Sequence, residues 1–204
     1  MSALVIVRHG QSVFNQQNRF TGTIDVELSE LGRSEARSCA AKLTKEDFHF
    51  QHAFVSTMKR AKETLDIILG VIDPQGKIKI DQSAALNERN YGDLQGLNKK
   101  ETAEKYSAEL VHEWRRAFNA RPPGGETLSE TYDRVIPYYK ESIEPALLGG
   151  GDVLIVAHGN SLRALMMLLE NIKPEDISQV EIATAVPRVY RFDDSLHVAD
   201  IRYL

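Results

Sequence analysis

The chain has 204 residues, 42% of them hydrophobic and 26% charged, and a formal net charge of −4. This length suits one well-buried α/β core and is short for two ordinary domains, and no run approaches the roughly 18 apolar residues of a membrane span. The acidic balance speaks against nucleic-acid and membrane partners, so any anion site must be a local exception; with no room for a secretory leader before the first strand, a cytoplasmic location is expected.

The run Leu4-Val5-Ile6-Val7, ending in Arg8-His9-Gly10, predicts a buried strand. Residues 11–27, rich in Asn, Gln, Thr and Gly, predict an irregular binding loop rather than a helix. Ser29 caps a helix to about residue 46 that sets Leu31, Ala36, Ala40 and Leu43 on its apolar face. Cys39, the one cysteine, falls beside them as an inert buried thiol, and no disulfide can form within the chain. Ala53-Phe54-Val55-Ser56 predicts a second strand, with Ser56 or Thr57 capping a helix that runs to Ile72. Residues 77–80 read as an edge-like third strand.

From residue 85 to 97 the chain is irregular and bears glycine. Two helices then follow, divided near Ser107 and ending before Arg121-Pro122-Pro123-Gly124-Gly125. Together these make a cap segment, about 85–127, inserted into a single domain spanning 1–204. A long helix over 128–148 leads through three glycines into Val153-Leu154-Ile155-Val156-Ala157-His158-Gly159, whose helix starts near Asn160. Strands near Val180, Val189 and Val198 close the chain. The repeated βα units predict an α/β three-layer sandwich: a mostly parallel sheet with right-handed crossovers, helices on both faces and a small helical cap.

Two apolar runs ending in His-Gly carry the functional reading. Parallel strands end on the same sheet edge, where α/β folds bind ligands, so His9 and His158 should face one pocket. A histidine that attacks phosphorus must be neutral, held at one nitrogen and surrounded by cations. Arg8-His9-Gly10 has that composition, although alone it would equally suit a structural Arg-His pair; the second His-Gly strand tips the reading. Arg60, just past a strand end on the first turn of a helix, suits an anion, whereas an arginine near a helix start is more commonly solvated. For the general acid, Glu88 lies in an irregular segment able to overhang the pocket, and on chemistry alone Glu126 and Asp93 stay open beside it. Lys99 and the Arg115-Arg116 pair fit a solvated helix face, the usual meaning of such charges. His49, His52, His112 and His197 form no ligand cluster with acidic residues, so no metal is expected.

Several strings resemble the cofactor-dependent phosphoglycerate mutase family of the histidine phosphatase superfamily, over nearly the whole chain. They are Arg8-His9-Gly10-Gln11-Ser12, Asn18-Arg19-Phe20-Thr21-Gly22, Leu86-Asn87-Glu88-Arg89 through Lys99, Glu113-Trp114-Arg115-Arg116, and Ala157-His158-Gly159-Asn160-Ser161-Leu162-Arg163-Ala164. The Arg-His-Gly motif marks the superfamily only; the Glu88 segment, Lys99 and Arg115-Arg116 favour the mutase branch. The resemblance implies that His9 is the phosphohistidine nucleophile and Glu88 the proton donor and acceptor. It implies that His158 stabilises the transferring phosphoryl group with Arg8, Arg60 and Asn15. Tyr91, Lys99, Arg115, Arg116, Thr21, Gly22 and the backbone at Gly159-Asn160 would hold the rest of the substrate, with Gly10, Gln11, Ser12, Arg89 and Asn90 completing the binding set. The implied reaction interconverts 2- and 3-phosphoglycerate through His9, primed by 2,3-bisphosphoglycerate, without metal and with small phosphorylated three-carbon acids as partners.

Two departures from that family stand out. Longer relatives carry an insertion after the Pro-Pro of the cap, whereas Pro122-Pro123-Gly124-Gly125-Glu126 here runs almost directly into the next helix, which leaves monomer and homo-oligomer both open. Relatives also commonly extend past the last strand, and this chain stops at Leu204, so some leakage of the phosphoryl group to water is expected. A broad phosphomonoesterase of the same superfamily is the rival enzyme, and Lys99 with Arg115-Arg116 argues against it. A non-catalytic phospholigand-binding module is the rival of another class, and the presence of both His9 and Glu88 argues against that.

Overall fold

The computed structural model describes residues 2–193 and 195–204. Its six-stranded sheet has the order β3-β2-β4-β1-β5-β6, with β1 at Ala3–Arg8, β2 at Phe50–Val55, β3 at Lys79–Gln82, β4 at Asp152–Ala157, β5 at Arg188–Phe192 and β6 at Val198–Tyr203. Strands β3, β2, β4 and β1 are mutually parallel; β5 runs antiparallel to β1, and β6 antiparallel to β5. The central strands are covered on both faces, which is why β1 and β4 are apolar at nearly every position instead of alternating. Leu4, Ile6, Val153 and Ile155 pack toward α6 (Leu128–Tyr138), α7 (Glu144–Leu148) and α8 (Gly159–Glu170). Val5, Val7, Leu154 and Val156 pack toward α2 (Glu30–Leu43) and α3 (Lys59–Ile72). The expected three layers are therefore present.

The sequence between β3 and α6 forms the cap, with α4 at Lys99–Tyr106 and α5 at Ala108–Arg116 divided at Ser107. A small apolar cluster of Phe20, Tyr91, Leu94, Val111 and Trp114 holds it. The loop after β1 is stitched to it by backbone bonds from Phe20 to Leu97 and from Gly96 to Phe20.

Five details differ from the sequence reading. The loop after β1 contains a one-turn helix, α1 (Val13–Gln16), made by a capping box between Ser12 and Asn15. Leu31 is 54% exposed, and Gly32 takes the buried position on α2 instead. The cap position of α3 is Met58, without a side-chain bond, because the Thr57 hydroxyl bonds Asn87 and Ser56 turns to His158. The long helix is interrupted by a π-helical turn at Tyr139–Ile143, between Pro137 and Pro145, neither of which can donate a helical N–H. No strand forms at Val180: the carbonyls of Val180 and Ile182 accept from Arg116 and Arg8, so that segment crosses the sheet edge as irregular chain. Cys39 is fully buried, and burial pushes its thiol up to about 12, in keeping with an inert role.

The turn out of β1 depends on a backbone contact. A Cβ on Gly32 would lie 2.1 Å from the carbonyl oxygen of Gln11, and one on Gly10 would lie 2.3 Å from that of Gly32, so α2 rests directly on the catalytic-edge loop. Gly70 in α3 has nothing within 4 Å of such an atom. Gly32→Ala should accordingly lower stability by about 1–3 kcal/mol through overpacking, while Gly70→Ala should raise it by about 0.5–1 kcal/mol through backbone entropy. Urea midpoints of the two variants check this, and equal shifts would show that the close approach at Gly10 and Gly32 relaxes freely.

Candidate active site

Both histidines leave the sheet at the same edge. His9 continues the ladder from β1 by donating its N–H to Ala157, and His158 follows β4; their ring centroids are 5.0 Å apart. The His9 Nδ1 lies 2.7 Å from the carbonyl oxygen of Gly10, which assigns the proton to Nδ1 and leaves a lone pair on Nε2. Arg60 Nε donates toward that Nε2 at 3.3 Å. Burial, followed by the Arg60 and Arg8 cations, holds the His9 pKa well below the ordinary histidine value, so the ring is neutral. Burial and Arg60 do the same to His158, whose Nε2 lies 2.6 Å from the Ser56 hydroxyl.

The arginines are fixed by carbonyl groups rather than carboxylates. Arg60 is fully buried and donates to Gly22 at 2.9 Å and Ile24 at 3.1 Å, while Arg8 donates to Ile182 at 2.8 Å. Neutral acceptors orient a guanidinium without cancelling its charge. Among the described residues, Arg8 Nε and His158 Nδ1 are buried with no hydrogen-bond partner. Orphaned donors beside two cations suit an incoming phosphoryl group.

Glu88 provides the only carboxylate lining this pocket among the described residues. Its Oε1 accepts from the Asn160 backbone at 3.2 Å, the Asn160 side chain at 3.0 Å and the Arg89 backbone at 2.8 Å, while a Cβ on Gly159 would lie 3.7 Å from its Oε2. One oxygen is thus anchored at the N-terminus of α8 and the other is without such bonds. Glu126, the alternative acid, is instead ion-paired with Arg134 at 2.8 Å and accepts from Asn90, and Asp93 is exposed outside the pocket.

A cavity of about 120 Å³ lies at this edge with Arg8 in its lining, whereas His9, His158 and Arg60 are buried and are not among the residues that line it. Asn15, Thr21 and Gly22 reach it from the loop after β1, Gly159 and Asn160 from α8, and Tyr91, Lys99, Arg115 and Arg116 from the cap. Burial, then Arg115 and Arg8, bring the Lys99 pKa down to about 8. Five further expected site residues outside this lining serve other ends. Gly10 donates to Thr64, Gln11 bonds Ser29 and Glu35, and Ser12 caps α1. Arg89 is turned into the cap, where it bonds the Trp114 carbonyl and the Tyr91 hydroxyl, and the Asn90 side chain accepts from Gly92. Three residues escaped the sequence reading: Phe20 and Arg163 line the cavity, and Ser56 bonds His158. Arg163 and Phe20 both lie in quoted strings, Gly159-Asn160-Ser161-Leu162-Arg163 and Asn18-Arg19-Phe20-Thr21-Gly22, whereas no sequence signal singles out Ser56 as a partner of His158.

Comparison with known proteins agrees with this geometry. A curated 2,3-bisphosphoglycerate-dependent phosphoglycerate mutase of Cytophaga hutchinsonii is 54% identical over 100% of this chain and 94% of its own length. Another, of Nitrobacter winogradskyi, is 48% identical over 96% of this chain and 94% of its own. Among solved structures, a mycobacterial glucosyl-3-phosphoglycerate phosphatase complexed with VO3 superposes with a TM-score of 0.82 at 26% identity, covering 100% of this chain and 97% of that one. The family model for the histidine phosphatase superfamily (branch 1) matches residues 4–199. With that match, and with full-length relatives at such identity, the chain belongs to the histidine phosphatase superfamily and, within it, to the 2,3-bisphosphoglycerate-dependent phosphoglycerate mutase family.

Proposed function

We propose that this chain interconverts 3-phosphoglycerate and 2-phosphoglycerate, a step of glycolysis and gluconeogenesis, by passing the phosphoryl group through Nε2 of His9. One observation carries this reading beyond phosphoryl transfer in general: the pocket has two cationic zones. Arg8 lines the floor, on the side of the strand ends where Arg60, His9 and His158 are buried against one another, and Lys99, Arg115 and Arg116 form a wall on the cap. A substrate with two anionic ends, a phosphate and a carboxylate, matches that layout, and the curated relatives bear the name of enzymes for such acids.

In the proposed chemistry the His9 lone pair attacks phosphorus. The bond to the leaving oxygen breaks, and Glu88 delivers a proton to that oxygen. Arg8, Arg60 and the Nδ1–H of His158 take up charge on the transferring oxygens. On primed His9 the complementary step comes first: Glu88 removes the proton from the free hydroxyl of the monophosphorylated acid, which attacks the phosphohistidine and frees His9 to take the other phosphate, so each turnover ends with His9 loaded again. The Gly10 carbonyl holds the ring throughout. 2,3-Bisphosphoglycerate fits the same two zones and, when bound, supplies the phosphoryl group that loads His9. Among the described residues no group of three or more His, Cys, Asp or Glu side chains is arranged to hold a metal ion, and no helix is long and apolar enough to cross a membrane. We place the reaction in the cytoplasm and the cap segment in one domain with the sheet.

Incubation with 2,3-bisphosphoglycerate should yield an acid-labile phosphoryl adduct at His9, absent in His9→Ala. Labelling of His158 instead would reverse the two roles. Glu88→Gln should retain ligand binding and lose turnover by roughly 10²-fold or more, the usual scale for a general acid. Near-normal turnover would move the acid elsewhere. Because Lys99 is cationic below about 8 and neutral above, kcat/KM should fall as pH rises through that value while kcat, measured with the anion already bound, stays flat to higher pH. Lys99→Arg should abolish that limb. Wild-type protein that hydrolyses 3-phosphoglycerate but never isomerises it would overturn the mutase reading in favour of a phosphomonoesterase.

A further inference from the structure

Arg163 stands on the second turn of α8 and is only 3% exposed, yet none of its bonding partners is charged. Its Nη2 donates to the Arg116 carbonyl at 2.7 Å and to that of Ile177; its Nη1 donates to the Asn160 side-chain oxygen at 3.2 Å and reaches the Arg115 carbonyl at 3.5 Å. Burial, then the neighbouring Arg116 cation, lowers its pKa to about 10. A buried cation beside other cations is an expensive way to pack a helix, and an apolar side chain of similar volume would usually be no worse for stability. Its geometry supplies the reason for an arginine. Helix α5 ends at Arg116, where the last carbonyls have no intrahelical partner, and the planar fork of Arg163 takes the final two.

We infer that Arg163 is a positioning residue that latches the end of α5 to α8, setting the direction in which Arg115 and Arg116 face the pocket. Through the Asn160 side chain, whose amide donates to Glu88, the same guanidinium ties this clamp to the proton-transferring carboxylate. The latch joins cap to sheet where the two cationic zones meet. It rests on the mutase reading only for the choice of phosphoglycerate as the ligand.

Trp114, the chain's one tryptophan, is 8% exposed on α5 and reports where that helix sits. Two variants separate the explanations: Arg163→Lys keeps the charge but loses the fork, and Arg163→Gln loses both. Both should weaken calorimetric binding of 3-phosphoglycerate by about 10-fold or more, as expected for lost charge-assisted hydrogen bonds. Both should change vanadate binding, which needs only the floor, by less than about 2-fold. Acrylamide quenching of Trp114 should increase in both. Unchanged quenching together with unchanged phosphoglycerate affinity would overturn the latch, as would an equal loss for vanadate, or full retention by Arg163→Lys. If neither variant folds, hydrogen exchange of the wild-type protein decides: peptides over 111–117 should open no faster than those over 160–170, and faster opening of α5 would overturn the inference. Wild-type protein that binds 3-phosphoglycerate without isomerising it would sink the mutase reading and leave the latch standing.

Discussion

Parallel pairing of β1 with β4, in the register that sets Arg8 opposite Ala157, is the constraint on which the whole catalytic edge depends. Side chains on a strand alternate faces, so a slip of one residue would carry Leu4 and Ile6 to the opposite face and swing His9 away from His158. The two buried faces forbid that slip: β1 packs against one helix layer with Leu4 and Ile6 and against the other with Val5 and Val7. Core packing therefore fixes a distance between two imidazoles that neither ring could enforce alone. The Gly10 and Gly32 contact extends the constraint past the strand end, because α2 can lie on the loop only where both residues lack a side chain.

On that edge the protein gathers positive charge without neutralising it. Arg60, Arg8 and Arg163 bond backbone carbonyls, which orient each guanidinium without cancelling its charge. Burial, followed by the Arg60 and Arg8 cations, holds His9 and His158 in the neutral form, which the proposed nucleophile requires. The N-terminus of α8 and the Asn160 amide hold Oε1 of Glu88, which fixes the side chain in the cavity lining.

What the sequence made legible follows from the same physics. The duplicated His-Gly ends were readable because a doubly covered strand must be apolar throughout, and the fate of Cys39 because its neighbours at helical spacing were small and apolar. Leu31 and Val180 misled because apolar character was taken as burial. At Val180 the chain is claimed by long-range side-chain donors, Arg116 and Arg8, which no local pattern records. The choice among Glu88, Glu126 and Asp93 was closed to spacing arguments because the deciding ion pair of Glu126, with Arg134 on α6, depends on how the irregular segment ahead of that helix lies. Ser56 read as a helix cap, and its real partner lies across the sheet on a different strand end.

The floor and the wall of the pocket are mounted differently, and this bears on how one superfamily supports both transfer and hydrolysis. The floor sits on strand ends inside the central core. The wall sits on a cap with its own small cluster, joined to the sheet by the loop after β1 and by Arg163. A mycobacterial phosphatase shares the fold at a TM-score of 0.82 with 26% identity. In the proposed mechanism a mutase must retain the bisphosphorylated acid between the two transfers, and the second anion zone does this: a carboxylate held by Arg115, Arg116 and Lys99 keeps that acid at hand while water is kept out. Changing the cap would alter that retention without disturbing the paired histidines. In that mechanism the division of labour lies between a sheet edge that makes phosphohistidine chemistry available and a separately packed cap that decides which acceptor the phosphoryl group meets.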